Sequence, residues 1–316
     1  MGYILALAAA VLFGANGSVT KITMEAGLSP AQVTQFRLLG TAIVAGLVLL
    51  AIDRAAFRLP RRQWPIMIVL GIVGVALLQA TYAAAVQRLP VGIALLLEYT
   101  AVLMVALVAY FFFKEQVKTR LWIAIVLVLA GLAVVARVWA STLDALGVLL
   151  AIAAAICLAL YFLIGERQVA KTSALAVSFW TMLIATVFWS FVSGWWELDS
   201  GVFTTPVDLG GVHGSLEVPM WLPLLWNVVL GTFAPFLLSL AALRHLPATA
   251  AGIVASSEVI FAFAVAWAWL GETLDLVQIV GAAVVLAGII LAQTARVGKV
   301  VDADLALTTG PITTVR

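Results

Sequence analysis

The sequence predicts an all-α integral membrane protein, with ten transmembrane helices arranged as two inverted five-helix repeats. Three observations predict it. Of 316 residues, 65% are hydrophobic and 10% charged, and the mean hydropathy is +1.18. An ordinary soluble domain carries roughly 25% charged residues, so lipid has to solvate this chain. The apolar residues fall into ten stretches close to the length of about 20 residues that spans a bilayer as a helix. The chain also repeats itself: the segment 88–115 returns 157 residues later as 245–272. At that offset Leu89-Pro90 falls on Leu246-Pro247, Glu115 on Glu272, Gly74 on Gly231 and Gly131 on Gly288.

The predicted spans are 3–20, 31–52, 65–86, 91–113, 121–139, 146–165, 174–196, 221–242, 248–270 and 276–293. Pro30, Pro65, Pro90 and Pro247 stand at helix starts, where a missing N–H costs nothing. Pro235 falls inside the eighth span and is expected to bend it. Glycines inside the spans, such as Gly71, Gly131 and Gly281, suit close helix packing in lipid. Residues 1–140 form the first predicted repeat, 145–295 the second and 296–316 a polar cytoplasmic tail. The start of the chain lacks a basic n-region before its apolar run, so the first segment is expected to be retained.

Basic residues set the predicted orientation. With the N-terminus inside, the interior loops hold 13 of the 17 Lys and Arg residues, from Arg54 to Arg316. The longest exterior loop, 197–220, has four acids and no basic residue. The positive-inside rule therefore places both termini in the cytoplasm of a multi-pass cell-membrane protein. Five spans per repeat is an odd number, so the second copy enters the membrane inverted. Lys114 and Lys118 of the first copy accordingly become Gly271 and Asp275 in the second. The earlier spans repeat more weakly at an offset of 145, where residues 7–11 resemble 152–156. Inverted repeats predict alternating access about a central site.

Two acids lie where acids are costly. Glu98 is about 12 Å into its span and Glu258 about 15 Å into its own, at about 1.5 Å per residue. Such a charge costs roughly 2.5–3.5 kcal/mol on insertion scales and normally faces a cavity or a partner. Each acid reads either as a site for a substrate amine or proton, or as a core acid bonded to a carbonyl or serine; Ser256 and Ser257 adjoin Glu258. Arg37 is the deep cation, on a helix face with Thr34 and Thr41. Three readings fit it: a salt bridge to Glu98, a partner for a substrate carboxylate, or an arginine snorkelling to the headgroups. Asn16, Gln79, Tyr82, Tyr99 and Tyr161 add polar groups on several spans, a pattern suited to a wet central cavity. Most tryptophans belong to interfacial belts, with Trp180 the one expected to face the cavity.

Other chemistries find little to stand on. The two histidines, His213 and His245, lie outside the deep membrane, and no H-E-x-x-H, G-x-S-x-G or Walker A motif occurs. No enzyme, metal site or cofactor is expected. The basic residues are dispersed, so nucleic acid is not an expected partner. The lone Cys157 allows no intrachain disulfide.

Several stretches carry a resemblance. The Leu-Pro…Gly-Glu segments near the end of each half resemble the EamA family of the drug/metabolite transporter superfamily. The run 88–100, R-L-P-V-G-I-A-L-L-L-E-Y-T, is similar to the fourth-span signature of its threonine/homoserine exporter branch. Leu270-Gly271-Glu272-Thr273-Leu274 is similar to the end of the second repeat, and the resemblance covers about residues 2–295. One departure is Glu258-Val259, where the family usually has Glu-Pro. The resemblance implies secondary export of a small polar metabolite, an amino acid or its derivative, with proton exchange as the driving force. In that reading Glu98 binds the amine or couples the proton, Arg37 is the carboxylate partner or gate, and Glu258 with Ser256 and Ser257 forms the symmetric wall. A multidrug exporter would instead need a largely aromatic cavity. A non-transporting scaffold would need the acids only for stability. Inverted duplication lets one chain build the pathway as a monomer.

Overall fold

The computed structural model describes residues 1–52, 54–113, 119–135, 143–169, 172–243, 245 and 254–295. The expected tail 296–316, Glu115 and Leu246-Pro247 lie outside the described residues. Almost everything described is helix. The chain runs through α1 (Gly2–Glu25), α2 (Pro30–Ile52), α3 (Trp64–Gly71), α4 (Leu78–Val86), α5 (Val91–Glu98) and α6 (Ala101–Phe113). It continues through α7 (Arg120–Val135), α8 (Ala145–Val169), α9 (Ala174–Ser190), α10 (Trp221–Val228), α11 (Ala234–Leu243), α12 (Glu258–Val265) and α13 (Leu276–Ala295). Gly2–Glu25, Pro30–Ile52, Arg61–Val86, Ala145–Gly165 and Trp221–Ser239 are long and apolar enough to cross a membrane. Shorter apolar helices fall within the other predicted spans. Leu47, Val126, Leu149 and Ile279 are among many large apolar side chains on the outside, as expected where lipid is the solvent.

Two departures from regular helix recur. A π-helical turn, Ile72–Leu77, joins α3 to α4, and another, Val229–Phe233, joins α10 to α11. The second begins 157 residues after the first. Pro235 stands just past it and cannot donate back into that turn, so the expected bend takes the form of a widened turn. The fourth span is broken at Tyr99-Thr100, between α5 and α6, and the ninth at Ser256-Ser257, just before α12. These breaks also lie 157 residues apart.

Glycines let the helices meet. A Cβ on Gly131 would lie 2.8 Å from the Gly281 carbonyl, and one on Gly288 would lie 3.0 Å from the Ala124 carbonyl, so α7 and α13 touch backbone to backbone. Gly74 meets Tyr161 on α8, and Gly231 meets Asn16 on α1. Both glycines sit in the widened turns.

The loop after α9 departs from the all-helical expectation. Pro206–Asp208 and Glu217–Pro219 pair as a short antiparallel ribbon. Its turn is held by Asp208, which accepts from the backbone N–H of Gly210 and Leu216; those bonds hold its carboxyl below the usual range. The loop packs onto the helix ends: Phe203 meets Phe36 edge-on, and Trp269 donates to the Leu209 carbonyl. Beside it, Glu272 pairs with Lys21 at the end of α1 and accepts from the Val91 N–H that opens α5. An acid at a helix N-terminus is favoured by the unsatisfied N–H groups there. Glu272 thus ties α1, α5 and the end of the ninth span together.

Candidate functional site

A cavity of about 280 Å³ lies between the helices and is lined by both acids, Arg37, Asn16, Gln79, Tyr82, Tyr99 and Tyr161. These come from α1, α2, α4, the broken fourth span, α8 and α12, so the site exists only when distant parts of the chain assemble. Ser256, Ser257 and Trp180 do not line it. Ser256 is buried, and Ser257 donates to the Val254 carbonyl at the helix break. Trp180 stacks edge-on with Trp64 and Phe179 beside a separate apolar cluster.

The two acids differ in their surroundings. Glu98 is the last residue of α5 and Glu258 the first of α12, so they lie on opposite sides of equivalent helix breaks. Helix C-termini present free carbonyls and favour cations, whereas N-termini present free N–H groups and favour anions. Glu258 also accepts a 2.6 Å hydrogen bond from the Tyr99 hydroxyl. Glu98 is 9% exposed, and its Oε2 is buried with no hydrogen-bond partner. A buried polar atom without a partner is costly unless something arrives to satisfy it. Glu98 is therefore the open acceptor of the pair.

Arg37 neither reaches the headgroups nor pairs with Glu98. It is 7% exposed, and among the described residues the ion pairs are Lys21–Glu272 and Arg88–Asp144. Its Nε donates to Thr232 Oγ1 (2.5 Å) and its Nη2 to the Gly231 carbonyl (3.3 Å), within the widened turn. Pro235, four residues after Gly231, has no N–H to compete for that carbonyl. The Asn16 amide, oriented by its partners, donates to Asn227 Oδ1 (2.9 Å) and accepts from Arg37 Nη2 and Nη1 (3.2 and 3.3 Å). Asn227 is fully buried and fixes these directions: it accepts from Thr20 Oγ1, donates to the Pro223 carbonyl, and takes the Thr232 hydroxyl proton on its own carbonyl. Both Asn16 and Thr232 therefore face Arg37 as acceptors. Of five guanidinium N–H groups, one on Nη1 has no partner among the described residues.

Sequence reasoning missed Phe13, Leu158, Met182, Thr232, Phe236 and Ser239, which also line the cavity. The offsets carried the signal for three of them: Met182 falls on Arg37 at 145, and Phe236 on Gln79 and Ser239 on Tyr82 at 157.

A bundle of apolar helices around a small charged cavity is the architecture of a membrane carrier. Residues 1–137 and 145–294 match the EamA-like transporter family, and the chain belongs to that family. It is 30% identical over 207 residues to the threonine/homoserine exporter RhtA of Salmonella typhimurium strain SL1344, a match covering 64% of this chain and 62% of that protein. The Escherichia coli K12 exporter of the same name is 28% identical over the same share. The match therefore spans about three fifths of these exporters. An uncharacterized transporter of Archaeoglobus fulgidus is 27% identical, over 67% of this chain and 71% of its own. A solved crystal structure with 17% sequence identity superposes with a TM-score of 0.62 over 93% of this chain and 98% of that one. At that identity the likeness speaks for the fold alone.

Proposed function

We propose that the protein is a secondary carrier that exports a small metabolite bearing an ammonium and a carboxylate, an amino acid or a derivative, across the cell membrane by alternating access. The observation that carries this reading is the unpartnered Glu98 oxygen in a small cavity that also holds Arg37. Glu98 takes the ammonium. The remaining Nη1 proton of Arg37 takes one carboxylate oxygen. Glu258, tied to Tyr99, forms the facing wall and balances the Arg37 charge. Proton exchange at Glu98 is the driving step in this reading.

The ten-span inverted repeat is part of the proposal. The widened turns and the helix breaks recur at one offset, and contacts exchange in pairs. Gly131 against Gly281 is answered by Gly288 against Ala124; Gly74 against Tyr161 is answered by Gly231 against Asn16. Such exchange supports a pseudo-twofold axis through the cavity. The lining carries two acids and an arginine rather than being largely aromatic, which favours a polar metabolite over a multidrug substrate. The relatives named as threonine/homoserine exporters support the amino-acid class and the outward direction.

The test is efflux of a labelled amino-acid panel from proteoliposomes, wild type against Glu98→Gln, with folding verified. We expect wild type to move one class and the folded Gln variant to lose it. Equal transport by both would make Glu98 a structural acid. No movement of any amino acid by the folded wild type would bring the multidrug or scaffold reading forward instead.

A further inference from the structure

We infer that an apolar groove on the lipid-facing side of the bundle holds one acyl chain of a membrane lipid, and that this chain braces the turn carrying Arg37. The groove has a volume of about 490 Å³ and shares no lining residue with the charged cavity. Its lining follows one stripe of the eighth span. Leu222, Leu225, Trp226, Val229 and Leu230 stand at i, i+3, i+4, i+7 and i+8, which a helix places on one face. At about 1.5 Å per residue that stripe is about 12 Å long. Val19 of α1, Trp269 of the ninth span and Leu209 of the 197–220 loop complete it.

The medium and the lining identify the occupant. Leu222 and Leu225 are 38% and 49% exposed, at the start of a helix long and apolar enough to cross a membrane. The groove therefore opens where the chain meets lipid. Its side chains offer a ligand no polar atom: the Trp269 N–H donates to the Leu209 carbonyl, and the Trp226 Nε1 is buried. A polar molecule would give up its water there without finding a partner. A hydrocarbon chain gains dispersion contacts along the whole stripe. Behind the stripe lies the mount of Arg37. Val229 and Leu230 open the widened turn, and Gly231 and Thr232 of the same turn accept from the guanidinium. Val19 and Trp226 immediately precede Thr20 and Asn227, whose hydrogen bond ties the two helices together. An acyl chain in the groove thus packs against the turn from the lipid side while Arg37 holds it from the cavity side.

The experiment uses the purified full chain in phosphatidylcholine liposomes, with a fraction of the lipid carrying a diazirine at the end of one acyl chain. Adducts formed on irradiation are mapped by peptide mass spectrometry. The reference is the stretch 123–129 of α7, whose Ile123, Val126 and Leu129 are more exposed than Leu222 and Leu225. We expect adducts on 222–230 to exceed those on 123–129 about fivefold, the ratio that a preference of about 1 kcal/mol produces. Val229→Trp, which fills the groove, should remove the excess and leave labelling of 123–129 unchanged; the wild-type ratio decides alone if that variant fails to fold. In lipid-stripped protein in detergent, added phosphatidylcholine should slow backbone amide exchange over 229–234 severalfold and leave α7 unchanged. Equal labelling of the two stretches would overturn the site. An excess of adducts without slowed exchange would overturn the bracing. Weaker labelling of 222–230 in a protein that migrates as a dimer would seat a second copy of the chain there instead.

Discussion

Glu98 and Tyr99 are sequence neighbours in different situations: the carboxyl keeps a buried oxygen without a hydrogen-bond partner, while the adjacent hydroxyl donates to Glu258. Tyr99→Phe removes the donor to Glu258 Oε2 and leaves a partly buried acid short of a hydrogen bond, a loss of about 1–3 kcal/mol. Thermal unfolding in detergent should show this for Tyr99→Phe and no comparable change for the exposed Tyr110→Phe. Equal effects would mean the Tyr99–Glu258 bond does not stabilise the site. At this scale the sequence exposed the acids and Arg37, because charges in apolar runs stand out. It hid the partners of Arg37, because Thr232 and Gly231 lie 195 and 194 residues away and look like ordinary span residues.

At the scale of the element, Gly131 and Gly165 make a controlled pair. Gly131→Ala would press a methyl against the Gly281 carbonyl and the Val285 N–H, backbone atoms that cannot swing aside. Overpacking of this kind costs about 1–3 kcal/mol. Gly165 in α8 has nothing within 4 Å of the added methyl, so Gly165→Ala should be neutral or stabilising by about 0.5–1 kcal/mol. Unfolding midpoints moving together would contradict the close α7–α13 contact. The helix starts were readable from proline, and the spans from hydropathy. The breaks at Tyr99-Thr100 and Ser256-Ser257 were not, since neither contains the Pro or Gly that ordinarily marks one. The ribbon at 206–219 escaped notice because three-residue strands leave no alternation to detect.

For the whole molecule, the predicted orientation can be read out by cysteine labelling. Thr204 and Arg61 are exposed, and the lone Cys157 is buried. With both termini inside, a membrane-impermeant maleimide should label Thr204→Cys in intact cells and Arg61→Cys only after permeabilisation. The reverse pattern would invert the topology. Glu272 joins α1, α5 and the ninth span on the side of the 197–220 loop, so Glu272→Gln should raise labelling of cysteines placed in the cavity from that side. In the proposed mechanism Glu98 is the cation-binding acid of this cavity and Glu258 is not its equivalent. The most direct measurement compares Glu98→Gln with Glu258→Gln in proteoliposomes, using a transported amino acid and its deaminated analogue as competitors. Wild type and Glu258→Gln should both prefer the amine-bearing competitor, and Glu98→Gln should lose that preference. An undiminished preference in Glu98→Gln would mean that another group binds the ammonium.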